Sequence, residues 1–142
     1  MKIVQQIIAA KTSEIFSVTG ETPVFDALTI LMDRNISALM VIEDEVLRGI
    51  FTERDYARKV ILQGKSSRSA LIKEVMTENP ITVKPTDTID YCMMLMTNQH
   101  IRHLPVLQDL KVIAMLSIGD IVKFIIEDQK QTISHLESYI RQ

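Results

Sequence analysis

Two short stretches of the chain share one arrangement of chemically useful residues. Gly49-Ile50-Phe51-Thr52-Glu53-Arg54-Asp55 and Ala114-Met115-Leu116-Ser117-Ile118-Gly119-Asp120 both read as an apolar run, a hydroxyl, two residues and an aspartate. A carboxylate with two acceptor oxygens can receive both hydroxyls of a vicinal diol, and such charge-assisted hydrogen bonds contribute about 1.5–3 kcal/mol each. The ribose of adenosine carries that diol. Helix-start amides with the Thr52 or Ser117 hydroxyl suit a phosphate, and Arg54, Arg58 and Arg102 supply guanidinium donors against its charge. The same hydroxyl-x-x-acid spacing is also a capping box, in which both side chains satisfy amides of their own helix. Solvated surface positions equally suit the arginines. Ligand site and helix cap both stand as readings, and recurrence at matching positions gives weight to the first.

Other chemistries lack their residues. Gly20, Gly49, Gly64 and Gly119 are too scattered for a dinucleotide turn or a Walker A loop. Cys92 lies beside Met93 and Met96 on the apolar stripe of a helix, as a structural thiol does. His100 and His103 are three apart, but no cysteine or second histidine pair accompanies them as a metal set. No acidic pair is marked by its spacing as an acid/base couple.

The elements that must position the two stretches follow from a duplication. Residues 18–56 laid on 83–121, an offset of 65, give identities at Val18/Val83, Ile36/Ile101, Leu39/Leu104, Val41/Val106, Asp44/Asp109 and Asp55/Asp120. Of 19 apolar residues in the first window, 14 meet an apolar residue in the second, where a 46% apolar composition would supply about 9. One backbone plan is used twice. Each copy has a β-prone lead-in (Ile15-Phe16-Ser17-Val18; Ile81-Thr82-Val83) and a helix starting at Thr22-Pro23 or Asp87-Thr88. Two apolar runs around a polar turn follow, 38–42 with 47–51 and 104–107 with 112–116, and then a second helix from Thr52 or Ser117.

The expected architecture is α/β (α+β), a β-α-β-β-α unit taken twice and packed about a pseudo-two-fold axis with a cleft at the seam. The expected division is an N-terminal helical segment at 1–11, repeat one at 12–62, a connecting segment at 63–75, repeat two at 76–128 and a C-terminal helix extension at 129–142. In the last helix, Ile121, Ile125, Ile133, Leu136 and Ile140 form a stripe longer than one small sheet covers. It either lies on its own domain or meets a partner's helix in a homodimer.

With 142 residues, 24% of them charged, and a net charge of −2, the chain suits one globular unit and offers no cationic surplus for nucleic acid or an anionic membrane. Apolar runs such as 38–42 and 112–116 stop at five residues, where a membrane span needs about 20. Gln5 and Gln6 split the apolar N-terminal stretch before it reaches signal-peptide length, and one cysteine fits a reducing compartment. The expected location is the cytoplasm.

At these residues the chain resembles the tandem CBS (cystathionine β-synthase) domain pair, or Bateman module, over essentially its whole length. The marks are Thr-Glu-Arg-Asp at 52–55, Ile101-Arg102-His103-Leu104-Pro105-Val106 and Ser117-Ile118-Gly119-Asp120, all in register with the repeat. It looks most like the small stand-alone members. The resemblance implies two pseudo-symmetric clefts for adenosine-containing ligands, among them AMP, ADP, ATP, NAD(H) and S-adenosylmethionine, in a sensor without catalytic residues. It places Asp55 and Asp120 on the ribose hydroxyls, and Thr52 and Ser117 near ribose and phosphates. Asn79, Pro80 and Ile81 would flank the base in one cleft, and residues 13–16, with Ile15 and Phe16, in the other. Arg54, Arg102 and His103 fall at phosphate positions, and Ser37, Arg58, Leu104, Pro105 and Gly119 complete the candidate set.

The copies differ where it matters. Ser37-Ala38 stands opposite Arg102-His103, Arg54 opposite Gly119, and Gly49 opposite Ala114. The clefts are therefore expected to differ in affinity, and the arginines to favour phosphate-bearing ligands over S-adenosylmethionine. The expected function is a dimeric regulatory module signalling adenine-nucleotide occupancy to a partner protein. The rivals are a structural dimer in which the hydroxyl–acid pairs only cap helices, and a nucleotide-processing enzyme.

Overall fold

The hairpin at the centre of each repeat is set by its turn. Strands β2 (Ala38–Glu43) and β3 (Val46–Thr52) are joined by Asp44 and Glu45, at φ 51° and 65°, in the computed structural model, which describes residues 1–11 and 15–141. Strands β5 (His103–Gln108) and β6 (Lys111–Ser117) are joined by Asp109 and Leu110, at φ 52° and 68°. Two successive residues with positive φ give the turn whose twist matches a right-handed hairpin. Both hairpins slip register at equivalent places, between Val41 and Ile42 and between Val106 and Leu107. Helices α2 (Val24–Arg34) and α5 (Ile89–Gln99) end alike, on left-handed Asn35 and His100. The duplication read in sequence is a duplication of backbone.

The helix starts differ. Thr88 caps α5 by accepting the Tyr91 amide at 3.0 Å, whereas α2 is preceded by Pro23 at the cap position, not by a capping Thr22. Its free amides are covered instead by the connecting segment: Val24 N–H donates to Ala70 O at 2.9 Å and Phe25 N–H to Ser67 O at 2.8 Å.

Each repeat has its own core, and each core is completed by a segment that belongs elsewhere in the chain. Val4 and Ile7 of α1 (Val4–Ala10) pack with Ile89, Cys92, Met96, Leu104 and Leu116 of the second repeat. Ile72 and Val75 of α4 (Ile72–Val75) pack with Leu31, Leu39, Phe51 and Val60 of the first. The backbone bonds match: Val4 N–H donates to Asp87 O and Ile89 N–H to Lys2 O, as Ile72 N–H donates to Thr22 O and Val24 N–H to Ala70 O. Residues 12–14, expected at the start of repeat one, and residue 142, expected in the C-terminal extension, lie outside the described residues.

The larger sheet runs β1 (Ser17–Val18), β2, β3, β4 (Thr77–Glu78), with β4 antiparallel to β3. Among the described residues the second sheet holds β5 and β6 alone. The strand expected across 81–83 is reduced to one parallel bridge, Val83 to Val106. The chain leaves β4 through Asn79 at φ 48°, so Ile81 turns to the seam and only Val83 reaches β5. Gly49 is fixed by β4: a Cβ there would lie 2.7 Å from the Thr77 carbonyl oxygen and 2.8 Å from Met76 Sδ.

After β3 the chain forms one α-turn, α3 (Glu53–Asp55), and widens at Tyr56–Ile61 into a π-helix, with Leu62 N–H on Ala57 O and Lys65 N–H on Val60 O. After β6 it forms α6 (Ile118–Ile140), a single helix of 23 residues. β3 and β6 meet at the seam, which brings the starts of α3 and α6 to the groove between repeats. Among the described residues no helix is long and apolar enough to cross a membrane.

Candidate functional site

The seam holds two cavities, one beside each helix start. The first, about 770 Å³, is lined by Ile50, Thr52, Glu53, Arg54, Asp55, Arg58 and Lys59 of repeat one. Thr77, Asn79, Pro80, Ile81, Arg102 and His103 complete it from across the seam. Asp55 is 7% exposed. Its Oδ2 accepts the Thr52 amide at 3.0 Å and the Thr52 hydroxyl at 3.2 Å. Its Oδ1 accepts the Thr77 hydroxyl at 3.0 Å and faces Lys59 Nζ at 3.2 Å. The Thr52 hydroxyl in turn accepts the Asp55 amide at 3.1 Å, closing the capping box. Four cationic side chains, Arg54, Arg58, Lys59 and Arg102, line this cavity against two carboxylates. Arg54 is anchored across the seam, donating from Nη1 to His100 O at 2.9 Å.

The second cavity, about 450 Å³, is lined by Lys11, Ile15, Phe16, Met40, Ala114, Ser117 and Asp120 among others. Here too the acid caps its own helix: Asp120 Oδ2 accepts the Ser117 amide at 2.9 Å, and the Asp120 amide donates to Ser117 Oγ at 3.1 Å. Lys11, at the end of α1, donates to the same Oδ2 at 2.7 Å and to Met115 O at 2.6 Å. Burial favours the protonated form of Asp120, but the Lys11 ammonium and the Ser117 amide outweigh it and hold the carboxyl below its ordinary range. One lysine therefore supplies the counter-charge at Asp120 that Lys59 supplies at Asp55, but on the capping oxygen Oδ2 rather than on Oδ1.

The wall between the cavities is shared. Ser37, Glu53 and His103 line both, and Ser37 Oγ lies 3.0 Å from His103 Nε2, tying the start of β2 to the start of β5. Burial pushes the His103 imidazole below its ordinary value; Asp120 opposes the shift, and Lys11 and Arg102 add to it. The imidazole is thus neutral at pH 7.

The structure gathers Ser37, Thr52, Arg54, Asp55, Arg58, Asn79, Pro80, Ile81, Arg102 and His103 at the first cavity, and Ile15, Phe16, Ser117 and Asp120 at the second. Ser13 lies outside the described residues. Three implied positions line neither cavity. Leu104 and Pro105 are buried in the strand, where Pro105 O takes the Val83 amide, and Gly119 faces solvent. The helix-start amides are also less available than expected. The Glu53 amide donates to Ser37 O at 3.2 Å and the Ile118 amide to Arg102 O at 2.9 Å, so the first amide of each helix start is already engaged. Lys11, Lys59 and Thr77 were missed. Lys59 stands four residues after Asp55, the one local signal available, whereas Lys11 and Thr77 reach the acids only through the fold.

Duplicated hairpins, exchanged lead-in segments and two nucleotide-sized clefts at the seam define the class. A family model described as the CBS domain matches residues 4–61 and 72–127, and the chain belongs to that family. The mitochondrial CBS domain-containing protein CBSX3 of Arabidopsis thaliana is 41% identical over 128 residues, covering 87% of this chain and 62% of the relative. The chain thus spans under two thirds of that relative's length. A candidate signal-transduction protein with CBS domains from Burkholderia ambifaria superposes with a TM-score of 0.87 at 44% identity, over 90% of this chain and 96% of that one. The CBS domain pair of protein MJ0100, solved with 5′-methylthioadenosine and S-adenosyl-L-methionine, superposes at 0.79 with 25% identity, over 90% and 98% of the two chains.

Proposed function

We propose that the chain is a regulatory module that binds an adenine nucleotide, AMP, ADP, ATP or NAD(H), in its first cleft, and that occupancy rather than turnover is its output to a partner protein. The observation that carries this reading is a buried carboxylate facing a cavity of about 770 Å³ with four cationic side chains around it. That volume is within the usual range for small-molecule sites, roughly 300–1,000 Å³. The adenosine ligands of MJ0100 support the same ligand class.

In this mode the ribose hydroxyls replace Thr77 and Lys59 on Asp55 Oδ1, and Lys59 turns with Arg54, Arg58 and Arg102 toward the phosphate. Pro80, Ile81 and Ile50 supply the apolar surface for the base. At about 0.3 kcal/mol for each of roughly 23 heavy atoms, AMP binds with about −7 kcal/mol, a dissociation constant on the order of 10 μM. The second cleft is the weaker nucleotide site, because Lys11 holds Asp120 and Gly119 replaces the guanidinium of Arg54. A reducing compartment, the cytoplasm in our reading, suits a chain with one thiol.

Calorimetric titration with AMP, ADP, ATP, NAD, NADH and S-adenosylmethionine tests this. Binding of phosphate-bearing ligands that is lost in Asp55→Ala and kept in Asp120→Ala is expected. Silence with every ligand would leave the second reading, a structural module in which Thr52/Asp55 and Ser117/Asp120 only cap helices. The closed capping boxes favour that reading. Conversion of ATP or NAD to products on long incubation would refute the non-catalytic part.

A further inference from the structure

The last helix is twice as long as its domain needs. Ile121 is fully buried in the second core, with Phe124 and Ile125 packed against it, but from residue 129 to residue 141 every residue is exposed. A three-turn helix surrounded by water is marginal alone, so its sequence must supply a reason to persist. Val122, Ile126, Gln129, Ile133, Leu136 and Ile140 recur at alternating spacings of four and three, a heptad seam. The apolar members are 47%, 46%, 55%, 57% and 79% exposed. The seam is turned about 100° from the face that Ile121, Phe124 and Ile125 present to their own domain, at 100° per residue. Helix α6 has one face for this chain and another that nothing among the described residues covers.

We propose that this second face pairs with the same face of a second copy of the chain, as a parallel, in-register two-stranded coiled coil. Ile126, Ile133 and Ile140 take one core position of the heptad, and Val122, Gln129 and Leu136 the other. β-Branched isoleucine at every first position, with Leu136 at the second, follows the pattern that favours two parallel strands. Gln129 fixes the direction. In register it meets Gln129 of the partner and the two amides satisfy one another, whereas antiparallel pairing of the full seam sets it against Ile133 with its amide buried and unpaired. The flanking charges agree, since Lys130 and Glu137 would face the partner's Ile125 and Thr132 and no like charges meet. With Tyr139, 78% exposed, the apolar side chains of the seam offer roughly 600–700 Å² per helix. Stable interfaces bury about 800 Å² per partner, so the seam reaches that area only together with its polar flanks.

Sedimentation velocity on the full chain over a range of concentrations, beside two variants, tests the proposal. The wild type is expected to be a dimer. Ile133→Glu/Leu136→Glu is expected to raise its dissociation constant about 100-fold or more, because it buries unpaired charge at the seam, with both domain cores intact and any loss of helix confined to the exposed part of α6 beyond residue 128. Gln129→Cys is expected to form a disulfide-linked dimer with oxidised glutathione, read on a non-reducing gel; buried Cys92 supplies no competing link. A wild type that is monomeric throughout overturns the proposal and leaves the face to another protein. A dimer indifferent to the double substitution overturns it too, as does a Gln129→Cys dimer that does not cross-link.

Discussion

Removing the two aspartates one at a time should separate the clefts, first in stability and then in ligand response. Asp55→Ala takes a carboxylate that is 7% exposed away from two donors of its own turn and from the Thr77 hydroxyl. Loss of the carboxylate's half of the capping box, which leaves the Thr52 amide unpaired, costs about 1 kcal/mol and loss of the charge-assisted bond to Thr77 about 1–2 kcal/mol. Lys59, itself 38% exposed, regains water and adds little. The total is about 2–3 kcal/mol. Asp120→Ala loses the same cap and a pair with Lys11 whose side chains are each 24% exposed, about 1–2 kcal/mol together. At roughly 3–4 °C per kcal/mol for a chain of this length, melting falls by about 6–12 °C and about 3–8 °C. AMP at 100 times its dissociation constant adds about 2.7 kcal/mol to the wild type, or about 8–11 °C. Asp120→Ala should keep that increment. Asp55→Ala, deprived of two ribose bonds of about 1.5 kcal/mol each, should bind about 100-fold more weakly and show less than a third of it. Differential scanning fluorimetry with and without AMP reads all four numbers. Equal AMP increments in the two variants would refute the assignment of the ribose to Asp55, and Asp120→Ala melting below Asp55→Ala would refute the burial argument.

Gly49→Ala should cost about 1–3 kcal/mol, since the new methyl group meets the Thr77 carbonyl and Met76 across β4; urea denaturation checks it, and a wild-type midpoint would show that β4 can move aside. Acid should weaken the fold in two windows. His103 has a folded-state value lowered from 6.5, so the unfolded chain takes up its proton first and stability falls as pH drops from 6.5 toward the folded value. The stability difference between pH 7.5 and pH 5.5 should shrink in His103→Gln, and an unchanged difference would refute the role of burial. Asp120, lowered from 3.8, contributes stability that is full above that value and lost as pH falls through its lower folded value; Lys11→Met should reduce that part of the acid transition, which a chemical-denaturation series below pH 4 would read. Burial and the Asp87 charge push the Cys92 thiol up to about 11, so Ellman's reagent should label it only at the rate of unfolding, and rapid labelling of native protein would contradict its place in the second core.

The parts of the fold legible in sequence are those set by neighbours in the chain. Asp44-Glu45 and Asp109-Leu110 between alternating apolar runs announce hairpins, and hydroxyl-x-x-acid announces a helix start, because turn and cap chemistry act over four residues. What escaped is set across the seam. Residues 1–11 read as an appendage, yet Val4 and Ile7 lie in the second core. A signal was present: Ile3-Val4-x-Gln6-Ile7 matches Leu71-Ile72-x-Glu74-Val75, the lead-in that closes the first core, at an offset of 68 rather than 65. A gapless search at one offset cannot see it. The lead-in at Ile81-Thr82-Val83 is β-prone by composition, yet the turn at Asn79 gives Ile81 to the cleft, a decision local propensity does not contain.

The same exchange of segments explains why each acid carries a lysine that its own motif does not predict. A capping box compensates only part of the carboxylate's charge, and in a seam partly closed to water that charge needs a further donor. Lys59 and Thr77 reach Asp55 because the π-helix and β4 bring them there, and Lys11 reaches Asp120 because α1 crosses to the second repeat. A ligand diol must compete with these donors, so the occupancy of each cleft depends on contacts between the repeats as much as on its aspartate. Lys11→Met tests this apart from Asp120 itself. It should loosen α1 from β6, read as faster amide exchange at Val4 and Gln5, while the Ser117–Asp120 box persists; unchanged exchange would mean that the backbone bonds to Asp87 and Pro85 hold α1 without the ion pair.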